Sequence, residues 1–183
     1  MDKHETGRGD HTHPAQRGWK RTVQEIIAPG VAGGVIAAVA MAVLAMLHSA
    51  LAGRGLLWPF FRVAEGVLGQ TAESLSAAAF GGLVHLVVAS VWGVLFVALV
   101  PRGAPFAHAL TMGLIFGTVV FLVMTWLVLP QVQQALLLAV PNLVLFAYHL
   151  VFGLLVALAV PIRRRLSTGH PLSEHPASRR VPL

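Results

Sequence analysis

Four long apolar runs, separated by short breaks rich in glycine, proline and arginine, organise this chain. They predict helices over 29–52, 77–100, 105–129 and 141–162. The second is expected to end at Pro101, the third at Pro130 and the fourth at Arg163-Arg164-Arg165. Each run is about 20 residues or more, enough to cross ~30 Å of hydrocarbon at ~1.5 Å per residue. Between Ser74 and Arg163 the Lys/Arg/Asp/Glu set is represented by Arg102 alone. Water cannot satisfy so apolar a surface, whereas lipid can, and in lipid a helix meets its own backbone hydrogen bonds. The expected fold is all-α: a four-helix transmembrane bundle made of two hairpins, occupying 28–162.

The connection at 53–76 has its own pattern. Pro59 suits the first turn of a helix. Phe60, Ala64, Val67 and Leu68 then share one face, opposite Arg62, Glu65 and Gly69. This predicts a short amphipathic helix lying at the membrane interface, as a surface connector or a lid over a site, with Trp58 at headgroup depth. The flanks differ in kind. Residues 1–27 and 163–183 are polar and basic, and both are expected to be disordered tails.

Small residues recur along each helix. Gly30-x-x-x-Gly34 is followed by Met41, and Gly113-x-x-x-Gly117 by Met124 at the same spacing. Trp92-Gly93 through Pro101 resembles Phe152-Gly153 through Pro161, so the two hairpins read as a parallel duplication. Lipid supplies no hydrophobic drive between helices, so close contacts use small side chains. Gly30, Gly34, Gly82, Gly93, Gly113, Gly117 and Gly153 are therefore the expected packing positions, within the chain or against a partner subunit.

Charge then sets orientation. The net charge is +6 and its positive residues gather before the first run and after the last. Juxtamembrane Lys/Arg marks the cytoplasmic side, so both termini are expected there, in a bacterial inner membrane. This assignment also removes the nucleic-acid reading of the basic tails. Ala50-Leu51-Ala52 resembles a signal-peptidase site, but the polar stretch before the first run and the length of that run argue against cleavage.

Composition narrows the chemistry. The chain of 183 residues is 56% hydrophobic and 11% charged, against about 25% charged in a soluble domain. It has no cysteine, which removes thiolate metal sites and thiol nucleophiles. No Ser/His/Asp set, phosphate loop or paired carboxylate appears, and an enzyme is not expected. The remaining chemical signal is His48, His85 and His149, each on the small-residue face of its helix and so directed into the bundle. Ionisable groups within a membrane are costly and often functional. Paired imidazoles can ligate haem b, three can hold a transition metal, and a histidine chain can relay protons. Each can equally hydrogen-bond a carbonyl or a neighbour such as Asn142, Ser90 or Tyr148. Ser49, Ser90, Thr111, Thr118 and Thr125 are expected to bond carbonyls of their own helix. His108 falls off its stripe and reads as interfacial, and His4, His11 and His13 as part of a solvated tail.

The glycine-rich segment from Gly30 to Met41, the Gly53-Arg54-Gly55-Leu56-Leu57-Trp58-Pro59 turn, Gly81-Gly82-Leu-Val-His85 and His149-Leu-Val-Phe-Gly153 together resemble a family of small, uncharacterised four-helix bacterial membrane proteins. The likeness spans about 28–162 and implies fold and location, not activity. The expected role is a non-enzymatic accessory or assembly subunit without a cofactor. Its partners are the lipid bilayer and either further copies of itself or a larger membrane complex. Two alternatives are a haem b or metal-binding redox protein using His85, His149 and His48, and a small channel or carrier.

Overall fold

The structure, a computed structural model, describes residues 18–19, 21–70 and 73–168. The expected tails at 1–17 and 169–183 lie outside the described residues. Four helices are long and apolar enough to cross a membrane: α1 (Val23–Leu51), α3 (Leu75–Leu99), α4 (Phe106–Val132) and α6 (Asn142–Ser167). Two shorter helices join them on one side, α2 (Trp58–Leu68) and α5 (Gln134–Ala139). The second was not anticipated from the sequence. The chain is a four-helix membrane bundle, and its two hairpin loops lie on one side, here called the loop side.

Pro130 and Pro161 alter the hydrogen bonding of their helices without ending them. Pro130 cannot donate to the turn before it, and the residues Val123–Val128 answer with a π-helical segment in which Leu129 N–H reaches Met124 O. The helix then runs on to Val132, past the end expected at Pro130. Pro161 acts similarly. Ala157 O accepts from Val160 N–H at 3.1 Å, a tighter turn in place of the bond proline cannot make. The fourth helix therefore continues beyond the arginine cluster that was expected to stop it. The first helix also starts early, with a π-turn over Val23–Ile27 ahead of Pro29, so the boundary expected at 27–28 lies inside helix. At the start of α3, Ser74 Oγ accepts from Ala77 N–H at 3.2 Å, a side-chain N-cap.

Glycines decide how closely the helices approach. A Cβ on Gly93 would strike Gly30 O and come within 2.9 Å of Gly34 Cα. A Cβ on Gly153 would strike Gly113 O and come within 3.1 Å of Gly117 Cα. The same backbone contact thus recurs in both hairpins, at the positions the duplicated pattern marks. Gly33 adds a contact absent from the expected set: its Cβ would lie 2.7 Å from Ala159 Cβ, joining α1 to α6. Gly82 is a correction. A Cβ there meets only the Phe60 ring, at 3.8 Å, whereas one on its neighbour Gly81 would strike Phe60 O of α2. These close contacts are made within the chain.

α2 packs by its narrow side. Ala64 is buried against α3, and Gly66 lies close enough to Val132 O that a Cβ would approach to 2.8 Å. Val67 and Leu68, expected on the same face as Ala64, are 57% and 47% exposed. Arg62, expected on the opposite face, is largely covered. It pairs with Glu65 at 2.7 Å and its carbonyl accepts from Gln133 Nε2. The reason is geometric: Gly81 lets α2 sit so close to α3 that Ala64, rather than the larger apolar side chains, occupies the contact.

Arginine fixes the opposite end. Arg163 is buried and donates to Val97 O at 3.3 Å, Val100 O at 3.2 Å and Pro101 O at 3.0 Å. These are carbonyls that the end of α3 and Pro101 leave without helical partners. Expected as a tail flank, Arg163 instead ties α6 to α3. Glu25 similarly bonds Arg21 at 2.6 Å and Arg102 at 2.8 Å, joining the start of α1 to the turn between α3 and α4.

Candidate functional site: two cavities sharing His85

Two partly open cavities between the helices meet at His85 and Met41. The larger, about 100 Å³, lies towards the loop side, with His48, Trp58, Phe60, His85 and Tyr148 among its lining residues. α2 covers it through Trp58, Pro59, Phe60 and Val63. Trp58 carries Arg54 and Arg62 over its ring at 5.0 and 5.7 Å, so its indole is held beneath two cations. Ser49 Oγ donates to Gly55 O at 2.8 Å. It does not bond its own helix, as expected of it, because the sharp turn at Gly53 and Gly55 (φ 71° and 88°) folds back over the end of α1.

The smaller cavity, about 60 Å³, lies deeper. Met41, His85, Trp92, Met124, His149 and Phe152 line it, so each spanning helix contributes to its wall. His149 is buried, and its Nδ1–H donates to Leu145 O at 2.7 Å. Its ring stands edge-on to Phe121 at 5.7 Å. His85 Nε2 lies 3.3 Å from Ala38 O. A carbonyl only accepts, so the nitrogen facing it carries the proton. The neutral ring's other nitrogen then keeps its lone pair.

The three expected histidines are thus divided. His85 and His149 share the deep cavity, and His85 and His48 share the outer one. His48 packs edge-on against Tyr148 at 6.2 Å between ring centroids. Among the described residues no group of three His, Asp or Glu side chains gathers closely enough to hold a metal ion, so the three-imidazole arrangement is not formed. His108 is exposed near the start of α4, off the buried stripe of its helix as expected.

Three features of the site escaped the sequence reading. Tyr148 was seen as a hydrogen-bonding neighbour, yet its hydroxyl is buried and bonds nothing. Thr125 Oγ1 is likewise buried and unbonded, unlike Ser90, Thr111 and Thr118, which bond carbonyls of their own helix as expected. Met41 and Met124 were noted as repeat markers, not as cavity walls. The available signal was their equal spacing from the two Gly-x-x-x-Gly pairs.

The sequence profile of a family of unknown function, DUF6789, matches residues 24–167. The chain belongs to that family. The match spans the four-helix domain and stops close to where the described residues end. Searches of curated proteins and of solved structures find no match.

Proposed function

We propose that this DUF6789 protein is a non-enzymatic, multi-pass protein of the bacterial inner membrane whose outer cavity binds a lipid-soluble molecule carrying a hydrogen-bond-accepting oxygen. The observation that carries this reading is the Tyr148 hydroxyl. It is buried beside a largely apolar cavity with no partner, and an unmade hydrogen bond of this kind costs about 1–3 kcal/mol. A ligand oxygen would satisfy it, while Trp58, Phe60 and Val63 would cover an apolar body. A volume of about 100 Å³ is far too small for a porphyrin, so the geometry lends haem b no support, but the cavity is partly open and admits the oxygen-bearing edge of a quinone head.

A pore is also poorly supported. On the side of His149 away from the loops, Phe96, Phe116, Val156 and Val160 fill the interior. The cavities form a dead end, as a receptacle would. The accessory role expected from the sequence draws no support from the close glycine contacts, which are made within the chain. Basic residues at both ends of the described domain support placing both termini in the cytoplasm, which reporter fusions at each end test.

The binding reading is tested with the purified chain in detergent and a decyl-substituted benzoquinone as probe. The expected result is saturable quenching of tryptophan emission, abolished in Trp58→Phe and weakened in Tyr148→Phe. Quenching that rises linearly with probe and is equal in wild type and Tyr148→Phe reflects partition into micelles and overturns the reading.

A further inference from the structure

The deep cavity has a different chemistry from the outer one. Its four metal-capable side chains come one from each spanning helix: Met41 on α1, His85 on α3, Met124 on α4 and His149 on α6. We propose that this cavity is a binding site for a single soft monovalent metal ion, Cu(I) in particular, held by two imidazoles and two thioethers.

The donor set selects the ion. Thioether sulfur is a soft ligand suited to Cu(I), whereas Mg²⁺ and Ca²⁺ need oxygen. Zinc is held by Cys, His and carboxylate, and among the described residues no third such side chain joins His85 and His149. Charge points the same way. The spanning segments from Leu75 to Ile162 contain no carboxylate, so a divalent ion would bring two uncompensated charges into the bilayer and a monovalent ion only one.

Both imidazoles are prepared as ligands. Each has one nitrogen engaged by a backbone carbonyl, Ala38 O for His85 and Leu145 O for His149. This is the outer-shell arrangement that orients metal-ligating histidines and leaves a lone pair on the other nitrogen. Size also agrees. About 60 Å³ is room for an ion or a few waters, at roughly 10–15 Å³ each.

The methionines are an independent observation. They occupy matching positions in the duplicated pattern, at equal spacing from Gly30 and Gly113, yet both reach one cavity. Met124 lies in the π-helical segment Val123–Val128. Such segments re-aim side chains and occur frequently at functional sites.

The test uses the full chain purified in detergent, under reducing and oxygen-free conditions, titrated with Cu(I) against a chromophoric Cu(I) chelator. One tightly held ion per chain is expected, with X-ray absorption showing both sulfur and nitrogen neighbours. The double variant Met41→Leu/Met124→Leu conserves volume and leaves the tail histidines intact. It should bind at least about ten-fold more weakly, with unchanged helicity and elution volume. His149→Gln should do the same. If the double variant elutes aberrantly, the sulfur signal of wild type decides. A first shell without sulfur, affinity unchanged in a folded double variant, or Zn(II) bound as tightly as Cu(I) overturns the proposal. Because quinone quenching reads Trp58 and Tyr148 in the outer cavity, the two sites fail or stand separately.

Discussion

Gly93 faces Gly30 so closely that a β-carbon on Gly93 would overlap the carbonyl oxygen of Gly30. Gly153 stands in the same relation to Gly113 in the second hairpin. In each pair the approach is of backbone to backbone, which no side-chain rotation can relieve.

Substitution should therefore separate these glycines from their neighbours. Gly93→Val and Gly153→Val are expected to lose about 1–3 kcal/mol or more through overpacking. Gly81→Ala should also destabilise, because Phe60 O blocks its β-carbon. Gly82→Ala meets only the Phe60 ring, at 3.8 Å, and should be neutral or stabilising by up to ~1 kcal/mol from reduced backbone entropy. Melting in detergent, followed by the loss of the monodisperse elution peak, checks the order. A Gly82→Ala variant less stable than Gly81→Ala would show that the α2–α3 contact is misassigned.

Arg163 should act through shape as well as charge. Its guanidinium reaches Val97, Val100 and Pro101 carbonyls together, a spread that a lysine ammonium cannot reproduce. Arg163→Lys is expected to preserve membrane orientation and yet lower stability, by about 1–3 kcal/mol for the carbonyls left unpaired. Arg163→Met should lose at least as much. Equal stability of wild type and Arg163→Lys would reduce this residue to a topological charge.

The Glu25 pairs should matter far less. Arg21 and Arg102 are 72% and 68% exposed, and exposed ion pairs contribute about 0–1 kcal/mol. Glu25→Gln is expected to shift the melting temperature slightly, with the difference fading as salt is raised. A large, salt-insensitive loss would place this cluster in a drier environment than its exposure indicates.

Tyr148→Phe should stabilise the ligand-free chain. Removing a buried hydroxyl that bonds nothing relieves about 1–3 kcal/mol, while the ring contact with His48 is kept. The same variant should lose the stabilisation that an outer-cavity ligand confers on the wild type. Thermal melts with and without decyl-benzoquinone read both effects, and a destabilised ligand-free variant would mean that the hydroxyl has a partner.

Much of this architecture is legible in one dimension. Hydropathy and length mark the four spanning segments, because a backbone in lipid must satisfy its hydrogen bonds within its own helix. An even number of crossings returns the chain to its starting side. The Gly-x-x-x-Gly pairs, and the inward placement of His85 and His149, follow from helical periodicity.

What periodicity leaves open is azimuth and crossing. Pro130 was expected to end the third helix and the Arg163-Arg164-Arg165 cluster the fourth, but a π-turn before Pro130 and a tight turn before Pro161 carry each helix past that point. Met124 reaches the deep cavity from within that altered turn, and Arg163 meets the end of α3 only because α6 continues. The choice of Gly81 over Gly82, and the split of three histidines between two cavities, depend on how closely neighbouring helices cross. The residues along each helix thus determined that the chain crosses a bilayer and which side chains turn inward. The tertiary structure alone decided which inward side chains meet, since adjacent positions differ by about 100° around a helix (~3.6 residues per turn) and a single turn of altered pitch is enough to exchange one neighbour for another.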